Sequence, residues 1–210
     1  FVFLGFLFSR VIKLDLGFIQ NWVDFVALGL PMTLFVSAVS IVVAMVLALF
    51  GALGRLSKNP VLFGFSTFYV SLIRGTPLLV QVYFIYLALP QAGIILDAVP
   101  AGIIALSVCY GAYMTETFRA GIQSIDRGQL EACRALGISY GSAMRLVVVP
   151  QGVRRVLPAL VNQFIAIVKD SSLVYFLGLL VSERELFRVG QDAAVLTGNL
   201  SPLVMAGLFY

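Results

Sequence analysis

The chain has 210 residues, 60% of them hydrophobic and 11% charged, with a net charge of +4. Its mean hydropathy is +1.02. A soluble domain is nearer half apolar and a quarter charged, so the composition excludes an ordinary soluble fold and indicates an all-α membrane protein.

Histidine is absent, which removes the commonest metal ligand and general base; no metal site is expected. The positive balance of so apolar a chain reflects basic cytoplasmic loops, not nucleic-acid binding. At ~20 residues per span there is room for about five helices and short loops, hence one transmembrane domain over residues 1–210. Cys109 and Cys133 fall in a span and in a polar loop, so no disulfide is expected between them.

The chain opens in the apolar run Phe1–Phe8 and stops a few residues into another run behind Pro202. Neither stub spans a bilayer alone, and both ends read as incomplete. The opening suits the end of a signal sequence or of a further span. The first full span is expected over Leu28–Leu53, entered through Pro31 in its first turn. Arg55 and Lys58 follow in the loop Gly54–Pro60. The next apolar run, Val61–Leu89, is too long for one helix and is interrupted by Arg74-Gly75-Thr76-Pro77, where a break or sharp kink is expected. The loop Pro90–Pro100 holds Asp97 and no basic residue. A third span is expected over Ala101–Phe118, a fourth over Leu157–Val181, and a fifth behind the polar loop Ser182–Pro202.

Between spans three and four lies a long polar stretch, 119–155, with Arg119, Arg127, Arg134, Arg145, Arg154 and Arg155. The positive-inside rule puts this loop and Gly54–Pro60 on the cytoplasmic side. The loops with Asp97 and Glu183 then lie outside. Leu130, Cys133 and Leu136 recur at helical spacing, Gly137 breaks the run, and Tyr140, Met144 and Val147 begin a second amphipathic stretch. This predicts two short helices joined at a glycine. They form either a compact cytoplasmic knob or a pair lying on the bilayer surface.

The residue order favours the knob. Glu131-Ala132-Cys133-Arg134-Ala135-Leu136-Gly137, followed by Pro150 and Leu157-Pro158, resembles the coupling loop of bacterial ABC importer permeases, named for its glutamate-alanine-alanine stretch. Glu131, Ala132 and Gly137 match; Cys133 departs, mildly, because cysteine is small and apolar. Three further segments, Ile73–Gln81, Glu116–Ile122 and Lys169–Leu173, resemble the polar amino-acid permeases of that family. The resemblance runs from about Pro31 to the end.

It implies a type I ABC importer permease fold in the bacterial plasma membrane, importing polar amino acids. Glu131, Ala132, Leu136 and Gly137 would dock on the ATPase subunit. The implied partners are ABC ATPase subunits, a second permease chain (identical or homologous), an extracytoplasmic substrate-binding protein and membrane lipid. The chain has no G-x-x-x-x-G-K-[ST] loop, so it is not itself the ATPase. No cofactor is expected here, with ATP and magnesium on the partner.

A charge in mid-membrane costs ~2.5–3.5 kcal/mol on insertion scales, so Glu116, Lys169 and Asp170 each call for a reason. One reading is an interhelical salt bridge that fixes packing. The other is a site for a zwitterion, where Asp170 and Glu116 receive the ammonium. Lys169, Ser171 or backbone N–H groups freed at Gly75-Thr76 would then take the carboxylate. In the resembling family the positions of Gly75, Thr76, Lys169 and Asp170 line the substrate cavity. Gln163 shares a helical stripe with Asp170; members specific for basic amino acids tend to be acidic there, so its amide favours glutamine or glutamate. Arg74, at the break, can snorkel toward the cytoplasm or pair with an acid. An ion-coupled secondary transporter would also use broken helices and midplane charges, but does not need the long cytoplasmic loop. A scaffold that only staples helices leaves Gly75-Thr76-Pro77 and Glu131–Gly137 without a purpose.

Overall fold

The structure, a computed structural model, describes residues 16–178 and 183–210. The opening run Phe1–Phe8 and the expected end of span four at Val181 lie outside the described residues. In chain order the elements are α1 (Leu16–Ala27), α2 (Leu30–Leu56), α3 (Pro60–Arg74), α4 (Leu78–Gln91), α5 (Ala98–Gln123), α6 (Arg127–Ala135) and α7 (Tyr140–Ala143). A π-helical turn, Met144–Val148, leads into α8 (Val149–Asp170) and a 3₁₀ stretch, Ser171–Leu177. α9 (Leu186–Thr197) and α10 (Ser201–Phe209) end the chain.

Among the described residues three helices are long and apolar enough to cross a membrane: Gln20–Leu56, Ala98–Gln123 and Tyr140–Leu177. Counting the bent pair α3 and α4 as one span makes four. This is the all-α membrane fold expected from composition, but its boundaries differ. The first span is expected to begin at Leu28, yet it starts earlier, because α1 leads into α2 across a turn at Leu28-Gly29 and the span Gln20–Leu56 draws on both. Much of the stretch 119–155 is helical, because α5 continues to Gln123 and helix resumes at Tyr140. Charges at the ends of spans mask helix in a hydropathy reading, since long basic side chains reach out of the apolar layer.

The residues form two compact units, of which the first comprises the described residues up to Val39, Val82–Ile103 and Val168–Tyr210. Its core packs Val26, Leu186, Met205 and Ala206, with Trp22, Val23, Leu30 and Tyr210 against them. The expected loop Ser182–Pro202 is corrected here, since most of it is α9. Leu186, Val189, Gly190, Ala193 and Ala194 are buried at i, i+3, i+4, i+7 and i+8, one stripe of an amphipathic helix. Arg188 and Asp192 pair at 3.1 Å on its other side, and these charges gave the segment its loop-like look. Glu185 caps it, accepting from the N–H groups of Phe187 (2.7 Å) and Arg188 (2.6 Å) and from the Tyr210 hydroxyl. Burial pushes the Glu185 carboxyl above its usual range, although these hydrogen bonds pull it down.

Gly29 fixes how the α1–α2 turn meets the start of α9. A Cβ there would stand 2.5 Å from Leu186 Cα and 2.7 Å from Leu186 N. That neighbour is backbone, whose N–H donates to Thr33 Oγ1 at 3.0 Å, so it cannot yield cheaply. Gly29→Ala is expected to destabilise the transporter by ~1–3 kcal/mol, the usual cost of overpacking. An unchanged thermal midpoint in detergent would contradict this packing.

The second unit comprises Ser40–Gln81 and Ile104–Ile167. Here α2 buries the stripe Ala44, Ala48 and Ala52, while Val42, Val46, Phe50 and Leu53 stay exposed. In lipid, large apolar side chains gain nothing by hiding, whereas small ones let helices approach. Gly111 meets Leu47 and Tyr69, and Gly121 meets Val156 and the Gly152 carbonyl. The Tyr69 hydroxyl donates to Val108 O at 2.7 Å.

Candidate functional site

The predicted interruption is a break of 107° between α3 and α4. Asn59 opens α3, its side chain accepting from Val61 N–H at 2.9 Å, and Pro60 occupies the first turn. At the other end the helix stops at Gly75-Thr76-Pro77, because proline has no N–H to continue the ladder. The N–H groups of Gly75 and Thr76 were expected to be free for a carboxylate. They instead donate to Ser71 O (3.0 Å) and Ile73 O (3.4 Å). The Thr76 hydroxyl also turns back, to Leu72 O at 3.1 Å.

Gln81 closes this corner. Its amide nitrogen donates to Ile73 O (2.8 Å), Thr76 O (2.9 Å) and Thr76 Oγ1 (2.9 Å). One buried side chain thus gathers the Ile73 and Thr76 carbonyls at the end of α3, adding to the Thr76 N–H that already reaches Ile73 O. Gln81 ends the motif Ile73–Gln81, whose resemblance assigns it no role. A polar residue one turn into an apolar helix, behind a Gly-Thr-Pro break, was the available signal.

Glu116 is held by arginines. Arg119 donates to Oε2 from Nη2 (2.7 Å) and Nε (3.0 Å), and Arg55 donates to Oε1 at 3.1 Å. Arg55 also reaches Thr67 Oγ1 at 2.6 Å and lies over the Phe63 ring. One carboxylate therefore ties the end of α2 and the body of α5 together, and Arg55 extends the tie to α3. Arg74 stacks on Tyr113 of α5, its Cζ 5.1 Å from the ring centroid.

Lys169 and Asp170 end α8, where the helix tightens into the 3₁₀ stretch. Lys169 is exposed and Asp170 half-buried. Ser171 is buried, and its hydroxyl donates to Val168 O at 2.7 Å. Gln163, half-buried, lies two turns before Asp170 on the same helix.

In the second unit, Asp126 caps α6 by accepting from Gly128 N–H at 2.8 Å. The helix ends at Gly137 with φ +72. There Ile138 N–H reaches Cys133 O at 2.9 Å and Gly137 N–H reaches Arg134 O at 3.0 Å. This paired closure uses a left-handed residue that glycine adopts without strain. Cys133 is buried, whereas Glu131, Ala132, Leu136 and Gly137 are exposed. Leu136 is 78% exposed, an apolar residue offered outward at the tip of the turn. Ser139 starts α7, accepting from Ser142 N–H. Gln151 joins Gln129 at 2.9 Å, and Arg155 donates to Ser124 O. α6 is thus tied to α8 through Gln129 and Gln151, and the expected second short helix is corrected here, since it is the start of the continuous helix Tyr140–Leu177.

A family model described as "Binding-protein-dependent transport system inner membrane component" matches residues 40–210. An arginine transport system permease protein of Bacillus subtilis (strain 168) is 36% identical over 94% of this chain and 90% of its own length. A putative glutamine transport system permease protein of Rickettsia typhi is 37% identical over 89% of this chain and 84% of its own. The crystal structure of an amino acid ABC transporter with histidines superposes at a TM-score of 0.85 with 35% identity, covering 94% of this chain and 91% of that one. An inward-facing methionine ABC transporter, at 19% identity and a TM-score of 0.73, shares the fold. None of these is an ion-coupled carrier. With its helices, its break and its knob accounted for, the chain belongs to the family of inner membrane components of binding-protein-dependent transport systems, as an ABC importer permease of type I fold.

Proposed function

We propose that this chain lines half of a pathway that brings a polar amino acid into the cytoplasm, glutamine or glutamate in preference to a basic one. The complete importer joins two permease chains, two ATPase subunits that bind ATP and magnesium, and an extracytoplasmic binding protein; residues 1–210 act as one permease domain that performs no chemistry itself. The knob faces the cytoplasm, where Glu131, Ala132, Leu136 and Gly137 engage the ATPase. Its exposed Leu136 and Ala132 support that reading.

The observation that carries the substrate assignment is Asp170, an acidic residue at the end of a membrane-crossing helix, two turns beyond the neutral Gln163. Asp170 receives the substrate ammonium, and Lys169 the carboxylate. Gly75 and Thr76 contribute the shape of the break, since their N–H groups are engaged; Ser171 supports the end of α8. Glu116 answers to two arginines and contributes framework before it contributes contact.

Asp170→Asn keeps the shape and removes the charge. A charge-assisted hydrogen bond is worth ~1.5–3 kcal/mol, so substrate affinity within the membrane domain should fall by about one to two orders of magnitude with assembly intact. Gln163→Glu should favour arginine, lysine or histidine over neutral substrates. Equilibrium binding to the purified transporter measures both. An Asp170→Asn complex that assembles poorly yet binds normally per assembled molecule would make Asp170 a packing residue.

A further inference from the structure

The second unit contains a cleft of about 1030 Å³, far from Lys169 and Asp170 in sequence and unused by the transport reading. Its walls are Leu49, Leu53 and Leu56 near the end of α2, the end of α5 and the π-turn with the start of α8. No aspartate or glutamate lines it, while Arg127 and Arg145 both do. Arg127 opens α6 in the knob, and Arg145 sits in the π-turn.

Polarity therefore changes along the cleft. Leu49, Leu53, Val153 and Val156 belong to helices apolar enough to cross a membrane. Arg127 belongs to α6, and Arg145 to the first turns of the helix Tyr140–Leu177 that carries Val153 and Val156 further on. From Arg145 to Val156 the helical path is ~16 Å at 1.5 Å per residue, about half the ~30 Å hydrocarbon core. That is the depth of one leaflet. The volume also lies at the top of the ~300–1,000 Å³ range of small-molecule sites. A ligand that fills it is apolar for one leaflet's depth and anionic at its end.

We infer that this cleft binds an anionic phospholipid, one acyl chain along Leu53 and Val153 and its phosphate between Arg127 and Arg145. Basic pockets at the cytoplasmic ends of membrane helices attract acidic headgroups by this charge complementarity. The inference stands apart from the amino-acid site, and its failure would leave that proposal untouched.

The test uses the assembled transporter in phosphatidylcholine nanodiscs. These carry a trace of phosphatidylglycerol, or of phosphatidylcholine, with a diazirine on the acyl chain. Photolabelled peptides are mapped by mass spectrometry. Phosphatidylglycerol should label residues 49–56 and 148–156 at least fivefold more than phosphatidylcholine. Arg127→Gln and Arg145→Gln should each lower that labelling about fivefold, the expected share of one basic residue at an anionic surface. Val153→Trp should block the cleft with both charges present. If that variant fails to assemble, the two arginine changes, on exposed side chains, decide alone. Equal labelling by the two lipids, or labelling that survives the double arginine variant, overturns the inference. A crosslink from Val153→Cys to a partner subunit does so too, by showing protein in the cleft.

Discussion

Ala132→Asp is expected to abolish transport while the chain still inserts and pairs normally. Ala132 is exposed on α6, five residues before the glycine closure, and the bond it makes there, from Leu136 N–H to its carbonyl, is backbone that the substitution keeps. On the proposed docking of the knob, a carboxylate there would enter the ATPase interface as an unpaired charge. An unpaired charge buried in an interface costs ~2–5 kcal/mol, so ATPase association should weaken by roughly 30-fold or more. Gly137→Arg should have the same functional result with an added structural penalty. Its φ of +72 is a left-handed conformation that costs a side-chain-bearing residue ~1–2 kcal/mol. Pull-down of the ATPase subunit and uptake into vesicles measure the two effects. Wild-type uptake by Ala132→Asp would remove the knob from the coupling path.

Glu116→Gln should produce the largest loss of stability. It leaves Arg55 and Arg119 facing one another without the carboxylate between them, at side-chain exposures of 21% and 28%. Two charge-assisted interactions at ~1.5–3 kcal/mol each, discounted for partial exposure, give ~3 kcal/mol. The thermal midpoint of the purified transporter should fall accordingly. Arg119→Gln should cost less, because Glu116 keeps Arg55. If Glu116 instead holds the substrate ammonium, Glu116→Gln will lower substrate affinity and leave the midpoint near wild type. The paired measurement separates the two roles.

What was legible in the sequence was chiefly backbone chemistry. Gly75-Thr76-Pro77 announced a break because glycine and proline act locally, and the break is there at 107°. Gly137 announced a turn for the same reason. Partners distant in the chain were not legible. Nothing local to Glu116 points to Arg55, which lies 61 positions away, and hydropathy assigned Arg55 to a loop. Gln81 was hidden likewise, since its work is to gather carbonyls that meet only once the corner has formed. α9 was misread because its period was judged by charge, whereas its small buried residues, Gly190, Ala193 and Ala194, carry little hydropathy. A stripe of small residues packs closely without looking apolar.

The π-helical turn at Met144–Val148 carries a geometrical consequence for the knob. Such a turn holds one residue more than the regular α-helical turn it replaces. Successive residues of a regular α-helix advance by about 100°, but a wider turn absorbs its surplus residue without passing that rotation on. The bearing at which the chain toward Leu136 leaves α8 is therefore kept although the turn is one residue longer. Removing one residue between Met144 and Val148 would let the ladder relax to regular α-helix with the tip of the knob near its present bearing. The same deletion inside the regular helix Val149–Asp170 would swing that tip around the axis by about a quarter-turn.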